Sequence, residues 1–264
     1  MFDPFTLKLI LSFLIGGVWI TVVTLIAEKY GSKLGGILLA VPSTMLISLV
    51  FIAWTLSTKA AVEATSIMPL TLSLSGLFAI IYVIFSKYNF WIGLVTATSI
   101  TTAINLYFAH IKLNNFLLGI ICFFVLVYSS YYVLTKAFKV HSIKGKHIKH
   151  RTKDLALRFL FSGSIIVLSI YLSKIGGPLL GGVFAAFPAV GISSLIICYY
   201  VKGIEFTNSI QETWLLGGLS CLIYIIIVRF TYLDFGVLIG TVLAFIGSTL
   251  TSYTMYHFFG KKIA

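Results

Sequence analysis

Apolar residues run along the chain in blocks of about twenty, the length that crosses a bilayer core at roughly 1.5 Å per residue. Nine blocks are separated by short polar clusters, over residues 8–28, 35–57, 67–86, 90–109, 115–136, 157–175, 180–201, 209–229 and 235–258. The fourth is rich in Thr and Ser, and the eighth begins with polar residues. The pattern predicts an all-α polytopic membrane protein with about nine transmembrane helices.

Composition agrees. Of 264 residues, 59% are hydrophobic and 10% charged, whereas a water-facing globule carries about 25% charged residues. The net charge of +12 is distributed as membrane topology requires. The segment "KAFKVHSIKGKHIKHRTKD" holds the densest cluster, and placing it in the cytoplasm puts 14 Lys and Arg inside and 5 outside. The N-terminus is then outside, the C-terminal Lys261 and Lys262 are inside, and a prokaryotic inner membrane is the expected location. Lys8, Lys59, Lys112, Lys174 and Arg229 fall on the outer side, and Arg158 with the cytoplasmic charges. The first block has no basic leader or small-residue cleavage site, so it reads as a retained helix. His141, His147 and His150 sit among lysines, where a loop touching anionic lipid (residues 139–153) is expected rather than a metal site.

Two stretches repeat. "GSKLGGILLAVPSTMLISL" at 31–49 and "GPLLGGVFAAFPAVGISSL" at 177–195 align without gaps at a shift of 146. Between positions 13 and 49 there are 12 identities in 37, including Phe13/Phe159, Gly17/Gly163, Gly31/Gly177, Gly35/Gly181, Gly36/Gly182 and Pro42/Pro188. Hydrophobic composition alone rarely supplies four glycines and a proline in register. The chain therefore divides into a four-helix repeat at 1–112, a linker helix at 113–137, a basic loop at 138–156 and a second four-helix repeat at 157–264. An odd linker turns the second repeat upside down, the arrangement typical of many secondary transporters.

The repeated residues have structural and functional readings. Gly31, Gly35, Gly36, Gly177, Gly181 and Gly182 form turns and GxxxG spacings that let helices approach closely, or let backbone approach a ligand. Pro42 and Pro188 kink or break their helices and free the carbonyl four residues earlier, Leu38 or Phe184. Ser43 and Thr44 follow the first proline. Thr98, Thr101, Thr102 and Asn105 recur at helical spacing in the fourth block. The ninth offers Thr241, Ser248, Thr249, Ser252 and Thr254, and both faces are candidate walls of a solute path. Their hydroxyls also suit bonds to their own helix carbonyls. Glu212, beside Gln211 and Asn208, is the one carboxylate read near membrane depth, where it needs a partner or a water-filled path. Its repeat mate is Ser66.

No HExxH, GxSxG, P-loop or CxxC is present, so neither an enzyme nor a cofactor is expected. Cys122, Cys198 and Cys221 read as small buried hydrophobes. The block "LGGILLAVPSTMLISL" and its echo resemble the signature of GlpM-like and related small uncharacterised prokaryotic membrane proteins, here duplicated. The resemblance covers about 20 residues in each half and implies a membrane location. A small secondary transporter or permease is the leading expectation. The alternatives are a membrane scaffold assembling through glycine-rich faces and an intramembrane enzyme.

Overall fold

The computed structural model describes residues 3–29, 42–140 and 152–263, which form helices joined by short turns. In chain order these are α1 (Pro4–Lys29), α2 (Ser43–Thr55), α3 (Thr58–Ala64), α4 (Met68–Ser86), α5 (Phe90–His110) and α6 (Phe116–Tyr132, continued by a π turn at Val133–Ala137). There follow α7 (Thr152–Gly176), α8 (Pro178–Ala185), α9 (Ala189–Lys202) and α10 (Ile204–Ile263). Helix α10 is broken at Gly236, whose φ of 80° only glycine adopts readily. Seven described helical stretches are long and apolar enough to cross a membrane, and α2 is a shorter apolar helix. One of the seven spans the Gly236 break, so the described residues form seven or eight membrane-length helices beside the shorter α2.

Three boundaries differ from the hydropathy blocks. The third block begins earlier, because the charged α3 is itself helical, capped by Ser57, whose Oγ accepts from Ala60 N at 3.1 Å. Between α3 and α4 the chain breaks at Thr65–Ile67. There the Thr65 amide and hydroxyl both donate to the Val62 carbonyl, at 3.2 and 2.6 Å. Pro69 follows in the first turn of α4, where its missing N–H leaves no bond unmade. The seventh block divides at Phe187–Pro188, and the eighth starts at Ile204.

Pro42 and Pro188 occupy the same place in their helices. Each precedes the first helical residue, with φ/ψ of −75°/59° and −78°/53°. Each carbonyl accepts the first helical bond at 2.9 Å, from Leu46 and Ile192 respectively. Before Pro188, the Phe184 carbonyl accepts from Phe187 N at 3.2 Å, so the turn itself meets the carbonyl that the proline frees.

Helices α1 and α7 pack along their lengths, and their contacts run in opposite chain order. Phe5 lies under Lys174 Nζ (3.6 Å to the ring centre), Phe13 lies against Gly163, and Gly17 lies against Phe159. A Cβ added at Gly17 would come 2.6 Å from the Phe159 ring, and one at Gly163 would come 2.9 Å from the Phe13 ring. The rings of Phe13 and Phe159 meet edge to face at 5.3 Å. The same two residue types thus make the same contact from both sides.

The main buried cluster joins Ile20 of α1, Met45 and Ile52 of α2, Met68 of α4, Ile166 of α7, Ala185 of α8 and Tyr224 of α10. A second gathers Phe78, Tyr82, Phe90, Leu195 and Leu215. Large apolar side chains also cover the outer surface: Val18, Leu117 and Leu238 are all exposed, as lipid contact requires. Several fully buried side chains are small and polar, among them Ser12, Ser48, Ser162 and Ser169, which lets helices approach closely.

Candidate functional site

The most developed polar contact among the described residues sits at the α3–α4 break. Arg229, from α10, donates through Nη1 to Ser66 Oγ at 2.8 Å, Thr65 Oγ1 at 3.3 Å and the Val62 carbonyl at 3.5 Å. Its guanidinium carbon lies 4.5 Å from the Phe116 ring centre. A break in a membrane helix leaves polar groups that hydrocarbon cannot satisfy, and the planar five-donor guanidinium bridges them. Across the break, Gly182 of α8 packs so closely that a Cβ there would overlap the Ala64 carbonyl oxygen.

The shift of 146 carries Val62, Thr65 and Ser66 onto Asn208, Gln211 and Glu212. In this second half the helix is continuous. The C-terminal turns of α4 lie against it: Tyr82 donates to Thr207 Oγ1 at 2.7 Å, and Ser86 donates to Asn208 Oδ1 at 3.0 Å. Glu212 is only 6% exposed and accepts a bond from the Tyr131 hydroxyl at 3.3 Å. Gln211 is fully buried, and neither its Oε1 nor its Nε2 has a partner among the described residues. Val83, the counterpart of Arg229, is buried and apolar.

The other candidates fall in separate places. Ser43 and Thr44 are buried at the start of α2. Met45 and Ile47 of that helix share a cluster with Ala185 and Ala186 beside Pro188, which brings the two proline turns into one region of the core. Trp214 covers Gly191 in the first turn of α9. Thr101 and Asn105 point inward from α5, whose later residue Ala109 packs on α8. Thr101 donates to the Ala97 carbonyl at 2.7 Å, and Thr98 Oγ1 and Asn105 Oδ1 have no partner among the described residues. Thr102 is half-buried.

Beyond Gly236, α10 folds back on itself: Gly240 meets Tyr232, and Gly247 meets Ile227. Ser248 and Thr249 bond to the Phe245 carbonyl at 3.0 and 2.8 Å. The Ser252 hydroxyl is buried and has no partner among the described residues.

The glycines of the second repeat are close-contact positions. Gly181 sits against Ser173 and the Ser169 carbonyl, and Ser169 Oγ donates to the Gly181 carbonyl at 2.8 Å. Gly177 takes a φ of 91° at the α7–α8 turn. Gly31, Gly35 and Gly36, and most of the basic loop, lie outside the described residues. No group of three His, Cys, Asp or Glu is placed to hold a metal among the described residues.

Two arginines read as loop charges are placed in the helical body. Arg229 holds the α3–α4 break, and Arg158 is 4% exposed on α7, one helical turn before the buried Ser162. Their signal was positional, since each lies in a helix continuing past the apolar block that defined it.

The family described as protein of unknown function DUF3147 matches residues 9–136 and 155–260. The chain belongs to the DUF3147 family. The matched segments take in both halves and meet around the basic loop, a length pattern consistent with an internal duplication. The DUF3147 match reaches well beyond the two short blocks that carried the GlpM-like resemblance. No curated protein and no solved structure matches the chain.

Proposed function

We propose that this DUF3147 protein is a small permease whose two halves, related by a two-fold axis in the membrane plane, move a small solute by alternating access. The reciprocal contact of Gly17 with Phe159 and Gly163 with Phe13 carries this reading. Two-fold packing makes residue i touch j′ while j touches i′. Opposed contact order along α1 and α7 is what inverted halves produce, and parallel halves do not. The proline-broken helix in the second half, with its like-angled partner at Pro42, supports the same reading, since transporters build midplane sites at such breaks. The close-contact glycines meet partners within the chain, on Ser173, Ala64, Phe13 and Phe159, which favours internal packing over a scaffold that assembles through them.

Side-specific labelling tests the arrangement. Cysteines replace Tyr88 and its counterpart Asp234, one at a time, in a background lacking Cys122, Cys198 and Cys221. Inverted halves give label from outside at one of the two positions only, at 234 and not at 88 in the orientation that the basic loop sets; label at both, or at neither in a protein that inserts normally, overturns the reading. Solute flux in proteoliposomes then tests transport itself.

A further inference from the structure

We propose that the C-terminal end of α6 seats an anionic phospholipid, its phosphate bound by Lys87, Lys136 and Lys139 and its acyl chains lying along the exposed face of α6. The proposal stands apart from the transport reading and needs no solute path.

Helix α6 packs on α4 with one side only. A Cβ added at Gly119 would come 2.9 Å from Leu70 N, and Ser130 lies against Gly76. The other side faces outward. Ile121, Val125, Tyr128, Tyr132 and Lys136 recur there every three or four residues, and all are exposed. The stripe changes character along its length: it is aliphatic at Ile121 and Val125, phenolic at Tyr128 and Tyr132, and cationic at Lys136, which lies in the π turn. A phospholipid presents hydrocarbon, ester and phosphate in the same order. Tyrosine collects at the headgroup level of a bilayer, and lysine extends its ammonium towards the polar side.

Neighbouring elements bring more charge to this end. Lys87, after α4, reaches the end of α6, with its ammonium 5.2 Å from the Phe138 ring centre. Lys139 follows that ring in the chain. The ends of α9 and α10 meet here too, because Ser86 bonds to Asn208 at 3.0 Å and Phe90 stacks on Tyr199 at 4.0 Å. Across residues 83–92, 130–140 and 198–208 there are four lysines and one carboxylate, Glu205. Lys87, Lys136 and Lys139 are exposed, and none of their ammonium groups has a hydrogen bond or ion pair among the described residues. At the opposite end Lys8 donates to the Trp54 carbonyl at 2.8 Å and Arg229 to Ser66. The charge complement of the α6 end is therefore an anion from outside the chain, and the apolar stripe below it selects one that carries acyl chains.

Full-length protein in phosphatidylcholine nanodiscs, with or without phosphatidylglycerol, tests this by thermal unfolding. Phosphatidylglycerol is expected to raise Tm by several degrees, as a ligand confined to the folded state does; no rise overturns the proposal. Lys87→Gln, Lys136→Gln and Lys139→Gln together should remove most of the rise. Lys59→Gln, Lys112→Gln and Lys153→Gln, which take the same charge from other exposed lysines, should keep it. Both leaflets of the disc contain the anionic lipid, so equal loss in the two triple variants means diffuse attraction and overturns the site. A first triple variant that is less stable in both lipids but keeps the rise assigns its lysines to the helix C-terminal carbonyls, and overturns it as well. Tyr128→Leu with Tyr132→Leu preserves the apolar surface and should reduce the rise; an undiminished rise removes the lipid from α6. The same lysine-dependent rise from inorganic phosphate in phosphatidylcholine alone would assign the lysines to a soluble phosphate and overturn the lipid.

Discussion

Thr65–Ser66 and Gln211–Glu212 occupy matching positions in the two repeats, yet they solve the same physical problem differently. In the first half the helix breaks, and an arginine 163 residues from Ser66 closes the break with a 2.8 Å bond. In the second the helix continues, and the polarity is carried by longer side chains buried around it. The hydroxyls of Thr65 and Ser66 are met by the arginine, whereas the Gln211 amide has no partner among the described residues. Between these two stretches the position of the polarity is kept and the means of satisfying it is not.

Removing the internal cation should produce the largest effect. Arg229→Met loses charge-assisted bonds, each worth about 1.5–3 kcal/mol, and leaves the α3–α4 break without its bridge. A large drop in Tm of the purified protein is expected, and an unchanged Tm would break the contrast between the halves. Next come the seam residues. Gly17→Leu and Gly163→Leu should each cost about 1–3 kcal/mol through overpacking, read as lowered Tm. Phe159→Ala should relieve the first and Phe13→Ala the second, while the crossed combinations relieve neither. Crossed rescue would count against the two-fold contact.

The hydropathy blocks located the helices well, because membrane length and apolarity are local properties. The breaks were less legible. Pro188 announced one, whereas Thr65–Ile67 carries no breaker of its own, and Pro69 comes only after the chain has turned. Arg229 was invisible as a structural residue for another reason. A lone charge at the end of an apolar run looks interfacial until its partners on α3 and in the turn after it, more than 160 residues away in the chain, are placed beside it. Glu212 could be suspected from its isolation. Nothing in its own segment pointed to Tyr131, which lies 81 residues earlier.

Two smaller substitutions sharpen the comparison. Thr65→Val should lower stability by about 1 kcal/mol, the worth of an ordinary hydrogen bond. Gln211→Leu, at the matching position, should leave stability unchanged or raise it, because it removes unpaired buried groups. Opposite signs in Tm are the expected outcome. Smallest is Ser57→Ala, which removes the cap of α3 at about 0.5–1 kcal/mol; at the matching Gly203, whose φ is 80°, no side-chain cap exists to lose.

The reciprocal seam of α1 and α7 has a consequence for how such a protein can change. In a symmetric pair of separate chains, every substitution is made twice, once on each side of the axis. An arginine introduced at one position would face its own copy's surroundings in both subunits. Joining the halves in a single chain lets each side of the axis vary alone. Arg229 at one position and Val83 146 residues before it is a difference that two identical chains related by symmetry could not hold.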